Sequence, residues 1–176
     1  HPDIRFDVPT TRPDYLYEKF GRERVRAVSM MPWTGSLRLL GLPTLYSIAR
    51  SDAVLITDGI IFDVKLFNPL FNFLILLVFL VPFARLFRRK VVCFLVGIGP
   101  LESFWGKRMG RLVCRLCDRV MAREEDSAEL VRSLGVDPAR VGVYADAAFV
   151  NEPAPPERGL AILRHLGLSR SRPIVA

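Results

Sequence analysis

Short apolar, β-branched runs recur along this chain at residues 25–30, 53–57, 90–97, 119–123 and 140–144, and most are separated by segments of helical length. The intervening segments 37–50, 68–87, 102–118 and 126–134 complete a repeated β-α-β order. Strands joined by helices run parallel, and a parallel sheet must be covered, because its strands are apolar on both faces. The expected fold is therefore α/β, a Rossmann-like parallel sheet with helices on both faces.

The ends of several helices are written into the sequence. Asp126-Ser127-Ala128-Glu129 has the spacing of a capping box, and Gly135 stands where a helix that has just finished favours glycine. In 102–118, Trp105, Met109, Leu112, Val113 and Leu116 share one face, and Lys107, Arg108, Arg111 and Arg115 fall mostly on the other, which makes this helix amphipathic. Prolines gather at Pro153, Pro155 and Pro156 after the last strand and read as a linker. Residues 1–152 are expected to form the Rossmann-like domain. Residues 153–176 would hold the linker, a helix over 157–166 and a strand beginning at Ile174. The chain opens without methionine at His1 and stops inside that strand, so it reads as a piece of a longer protein that would be inactive alone.

One stretch bears on the solvent. Residues 66–84 carry no charge and run directly into Arg85, Arg88, Arg89 and Lys90. A spanning helix with a cytoplasmic end has this appearance. Asn68, Pro69, Asn72 and Pro82 interrupt the run, however, and strand-like segments flank it, as a crossover helix buried against the sheet requires. A segment lying on a membrane surface is the third reading. The formal net charge of +7 favours anionic partners without choosing among them. Nucleic acid is disfavoured, because the basic residues are not interleaved with aromatics in any binding motif. The three cysteines argue for a reducing compartment, and the first 30 residues hold no apolar signal segment, so the cytoplasm is the expected location.

Ligands of open α/β sheets bind beyond the carboxyl ends of the strands, and the candidate residues cluster there. Thr57-Asp58-Gly59-Ile60-Ile61-Phe62-Asp63 supplies a glycine that lets backbone approach a ligand and two carboxylates able to orient or deprotonate a hydroxyl. A strand-end turn capped by Asp58 is the plainer reading. Gly97-Ile98-Gly99-Pro100 precedes a helix whose first amides could hold an anion, or is simply a tight turn. The third glycine of a dinucleotide loop is missing, which excludes NAD. Arg123 and Asp146 each close a strand, as ligand contacts or as surface ion pairs and caps. Cys114 and Cys117 have no second pair and read as helix packing. His1 and His165 have no metal-like neighbours, so no metal and no cofactor are expected.

Taken in order, Gly97-Ile98-Gly99-Pro100-Leu101, Met121-Ala122-Arg123-Glu124-Glu125-Asp126-Ser127, Leu134-Gly135-Val136 and Asp146-Ala147-Ala148-Phe149 resemble the pattern of polysaccharide pyruvyl transferases. At Thr57-Asp58-Gly59-Ile60 the chain departs from it, since the family has a run of glycines before a later Asp that Asp63 matches. The resemblance implies one half of a GT-B-type two-domain fold. It also implies phosphoenolpyruvate as donor substrate and a saccharide acceptor of a cell-surface polysaccharide or exopolysaccharide, free or lipid-linked, with the inner face of the membrane as the place where the two would meet. On that footing Asp63 or Asp58 would act on the acceptor hydroxyl, with Gly59, Gly97, Gly99, Arg123 and Asp146 around the substrate. A GT-B glycosyltransferase using a nucleotide sugar and a non-catalytic membrane-associated binding module are the alternatives.

Overall fold

The structure, a computed structural model, describes residues 4–29, 41–57, 60–64, 72–146, 149 and 155–167. In chain order these form β1 (Phe6–Thr10), α1 (Pro13–Phe20), β2 (Val25–Ser29), α2 (Leu42–Arg50), β3 (Ala53–Ile56), β4 (Ile60–Ile61), α3 (Phe73–Leu86), β5 (Lys90–Ile98), α4 (Phe104–Leu116), β6 (Arg119–Ala122), α5 (Glu125–Ser133), a 3-10 turn (Pro138–Arg140), β7 (Val141–Val143) and α6 (Pro156–His165). All strand pairs are parallel, in one sheet of order β3-β5-β6-β7 with β4 also on β5, and in a separate β1-β2 pair. The expected α/β fold with parallel sheets and flanking helices is thus present. The chain divides into two compact units, His1–Ala145 and Asp146–Ala176. Of the linker expected over 151–156, residues 151–154 lie outside the described residues, as does the strand at Ile174, and Pro156 opens α6 instead.

β5 is the axis of the larger sheet. Its burial alternates as a strand should through Val91 and Cys93, then changes phase so that Val96 and Ile98 are buried instead. The cause is a bulge. Leu95 sits at φ 55°, and pairing to β6 skips from Phe94↔Met121 to Val96↔Ala122. One extra residue exchanges the faces of everything beyond it. β3 and β4 keep a common offset on β5, from Ile56↔Cys93 to Ile60↔Gly97, so they lie along one line beside it.

Strand order that advances steadily through right-handed crossovers places successive helices on one face. Accordingly α3 packs on α4, and α4 on α5. α3 begins where the Asn72 side chain accepts the Leu74 and Ile75 N–H groups at 2.9 and 3.3 Å. It ends in a Schellman turn, in which Arg88 at φ 56° and Arg89 donate to Arg85 and Ala84 carbonyls. Leu74, Leu77, Val81 and Ala84 are its buried stripe. At 14 residues it is about 21 Å long at 1.5 Å per residue, short of a bilayer core. Among the described residues no helix is long and apolar enough to cross a membrane.

The opening residues hold a β-α-β unit that the sequence reading did not anticipate, because Asp7 and Pro9 interrupt the apolar pattern of β1. Asp7 is accommodated by ion pairing to Arg26 on β2 and by the Ser47 hydroxyl on α2. Cys93, Cys114 and Cys117 are all buried, with the Cys93 and Cys117 sulfurs 3.6 Å apart. Their place is in the core, as the helix-packing reading of Cys114 and Cys117 expects. The hydrogen bond with Cys117, together with burial, raises the Cys93 pKa, and burial raises that of Cys114.

Two carboxylates tie the strands together and make the fold acid-sensitive. The Arg26 hydrogen bond, opposed by burial and aided by Ser47, holds Asp7 below its ordinary pKa of 3.8. Burial pushes Asp118 up, but the Val91 N–H and Arg85 outweigh it and leave that group lowered as well. A folded pKa below the unfolded one contributes stability that is full above pH 3.8 and lost as pH falls through the folded value. Urea midpoints should therefore drop on acidification below that pH, and the Asp7→Asn/Asp118→Asn variant, weaker at pH 7, should lose less over the same range. Parallel pH profiles for the two proteins would show that neither carboxylate is responsible.

Candidate functional site

The carboxyl ends of β4, β5 and β6 form one edge, and Asp63 lies just beyond β4. It is 3% exposed. One carboxylate oxygen accepts the Glu102 and Ser103 N–H groups at 2.7 and 2.6 Å, and the other accepts the Ser103 hydroxyl at 2.5 Å. Ser103 in turn caps α4 by accepting the Gly106 N–H at 2.9 Å. The Asp63 carbonyl accepts the Asn72 amide at 3.1 Å, so the same residue holds the starts of both α3 and α4. A negative charge at a helix N-terminus is favoured by the unpaired amides there and by the helix dipole.

This geometry revises two expectations. The α4 N-terminus is not an open anion seat, because the Asp63 carboxylate already occupies it. Nor does Asp63 present itself to an acceptor hydroxyl, since its oxygens are buried and held by three donors. Its place is that of a positioning residue. Asp58 and Gly59 lie outside the described residues.

Gly97 and Arg123 come together. A Cβ built on Gly97 would stand 3.0 and 3.1 Å from the Arg123 guanidinium nitrogens and 3.2 Å from a Glu124 carboxylate oxygen, so both charged groups lie over the bare glycine. The Arg123 N–H donates to the Val96 carbonyl at 3.3 Å, which fixes its backbone at the strand end. Ser127 locks the next helix to β5. Its hydroxyl accepts the Ile98 N–H at 2.8 Å and lies 2.8 Å from a Glu124 carboxylate oxygen, to which it donates. The expected capping box does not form, and α5 has no side-chain cap. α5 starts at Glu125, Asp126 lies in its first turn, and Ser127 reaches across to the sheet rather than capping. Gly135 closes the helix at φ 78°, as expected.

Gly99 is required by its backbone. Its φ is 116°, its N–H donates to the Ile61 carbonyl at 2.9 Å, and Leu130 would lie 2.7 Å from any Cβ there. It therefore joins β4 to β5 and seats α5. Asp146 opens the second unit, where its carbonyl accepts the Phe149 N–H at 3.1 Å. Ser103, Gly106, Asn72 and Glu124 escaped the sequence reading as members of this edge. The signals available were a Ser three residues before a helical Gly and an Asn just before an apolar run.

The motifs that end β5 and β6 therefore meet around one edge, with Gly97, Gly99, Arg123 and Ser127 drawn from both. The family model for polysaccharide pyruvyl transferase matches residues 1–173, nearly the whole chain. The chain belongs to the polysaccharide pyruvyl transferase family. No curated protein matches it. Within this transferase family member, the GIGPL segment shapes the edge through Gly97 and Gly99, while Leu101, buried at its end, packs over Gly110.

The Asp63 clamp is directly testable. Asp63→Asn replaces an acceptor with an amide that cannot receive all three bonds, and should lower unfolding free energy by about 1–3 kcal/mol. Gly106→Ala would set a Cβ 2.6 Å from the same carboxylate. The resulting overlap should outweigh the gain in helix propensity, with a net loss of about 1–2 kcal/mol. Urea denaturation measures both, and an Asp63→Asn midpoint equal to that of the parent would sink the assignment.

Proposed function

We propose that this protein transfers pyruvate from phosphoenolpyruvate to a sugar of a cell-surface polysaccharide, forming a ketal. The observation that carries the reading is the family match over residues 1–173, and the Arg123 guanidinium over Gly97 at the strand-end edge supports it. The donor is a phosphate and carboxylate anion, and a fixed guanidinium is suited to bind either group through paired N–H donors. Glycine beneath it lets the guanidinium lie against the strand end.

In chemical terms, a proton adds to the enol methylene carbon of phosphoenolpyruvate, and the adjacent carbon becomes electrophilic. One acceptor hydroxyl bonds to that carbon and gives up its proton. A second hydroxyl of the same sugar then displaces inorganic phosphate, closes the ketal and releases another proton. Binding and charge stabilisation supply most of the rate in such a scheme. Arg123 would hold the donor, Gly97 and Gly99 would shape the floor, and Asp63 would keep the α3 and α4 starts in register. Asp58 and Gly59, between β3 and β4, are the sequence candidates for the acceptor side, with Asp58 as the hydroxyl base. The cytoplasmic face of the membrane is the location that lipid-linked acceptors would require.

The test is phosphate release from phosphoenolpyruvate in the presence of lipid-linked oligosaccharides, using the protein expressed from its full reading frame. Release that depends on the acceptor and yields a ketal methyl signal supports the reading. Sugar transfer from a nucleotide donor with no phosphate released from phosphoenolpyruvate would replace it with the glycosyltransferase alternative. Arg123→Gln should raise the KM for phosphoenolpyruvate about 10- to 100-fold, the worth of a charge-assisted hydrogen-bonded contact, and Arg123→Lys should recover part of it.

A further inference from the structure

The outer face of α3 is as apolar as its buried face. Leu74, Leu77, Val81 and Ala84 turn inward, while Phe79 is 68% and Leu86 77% exposed. The helix carries no charge before Arg85. A helix that is apolar all round belongs between two apolar media, and the sheet provides only one. α4 packs beside it, with Phe104 and Trp105 68% and 59% exposed at its start. Exposed Lys107, Arg108, Arg111, Leu112 and Arg115 follow along the same helix. Neither helix contains Asp or Glu. The acids beside them are Asp63, buried beneath the α4 start, Asp118, paired with Arg85 at 2.8 Å, and Glu102, exposed just before α4.

Aromatic and aliphatic side chains ringed by cations match the boundary between acyl chains and anionic headgroups. We propose that α3 and α4 together dock this protein on an anionic lipid bilayer. Phe79, Leu86 and Trp105 enter the acyl boundary, and Lys107, Arg108, Arg111 and Arg115 meet headgroup phosphates. A second copy fits the face less well, because a two-fold interface there would set the α4 cations against themselves. None of these side chains is assigned to donor binding, so the docking stands apart from the transfer chemistry.

The probes are vesicles of phosphatidylglycerol mixed with phosphatidylcholine and vesicles of phosphatidylcholine alone. The protein should float with the first and at least tenfold less with the second, and added salt should release it. Phe79→Ser/Leu86→Ser should weaken binding at least tenfold, and Arg108→Gln/Arg111→Gln about fivefold per cation removed. Both pairs are exposed, and unchanged urea midpoints would show that the variants remain folded. In a Trp33→Phe background, Trp105 fluorescence should shift to the blue on binding. Absence of binding to phosphatidylglycerol vesicles overturns the proposal, as does binding that ignores both variants. A concentration-dependent dimer that Phe79→Ser/Leu86→Ser dissolves would assign the face to a second copy instead.

Discussion

The Asp63 carboxylate beneath the α4 N-terminus is the contact on which the strand-end edge depends. A charge removed from water is tolerated only where donors replace the lost solvation, and here two backbone amides and a hydroxyl do so. The constraint spreads from there. Ser103 must be present to cap α4 and bond the carboxylate, Gly106 must lack a side chain, and Asn72 must reach the Asp63 carbonyl. Four residues from three separate segments are thereby committed to one buried charge. The edge beside it is tied to that arrangement through the β4 and β5 ends.

Around this clamp, β5 distributes positions to both neighbours. Gly99 takes the Ile61 carbonyl of β4, Val96 receives the Arg123 N–H at the end of β6, and Ile98 binds Ser127 of α5. A single strand end therefore aligns the segments that carry the family motifs. The apolar helix α3 lies on the same sheet face as the basic α4, so the side of the fold turned away from the sheet is defined by two helices of complementary character.

Much of the fold was legible because its signals are periodic. β3, β5, β6 and β7 fall within runs of β-branched residues, and the inner face of α4 is read correctly in Met109, Val113 and Leu116, whereas Trp105 and Leu112, expected on that face, are exposed beside the arginines. β1 was hidden because Asp7 and Pro9 look like loop residues until Arg26 and Ser47 are folded beside them. The site was legible in its members and less so in their roles. Gly97 with Arg123 could be placed at one edge from strand ends alone, but the burial of Asp63 depends on partners 39 and 40 residues away in sequence. Local spacing contains no trace of such a bond. The same limit applies to Ser127, whose partner Ile98 lies across the sheet.

The bulge at Leu95 has an evolutionary consequence. Length changes are usually absorbed in connecting loops, where no side chain depends on the count. In β5 the count itself carries information, since the residues before Leu95 and those after it face the core on opposite parities. Deleting Leu95 itself would leave Val96 and Ile98 on the parity of Val91 and Cys93 in an unbroken ladder, whereas losing or gaining a residue between Val96 and Ile98 would turn Ile98 out of the interior and displace its bond to Ser127. Substitutions along the strand can be tried one at a time, whereas an insertion or deletion beyond the bulge changes the core and the strand-end edge together.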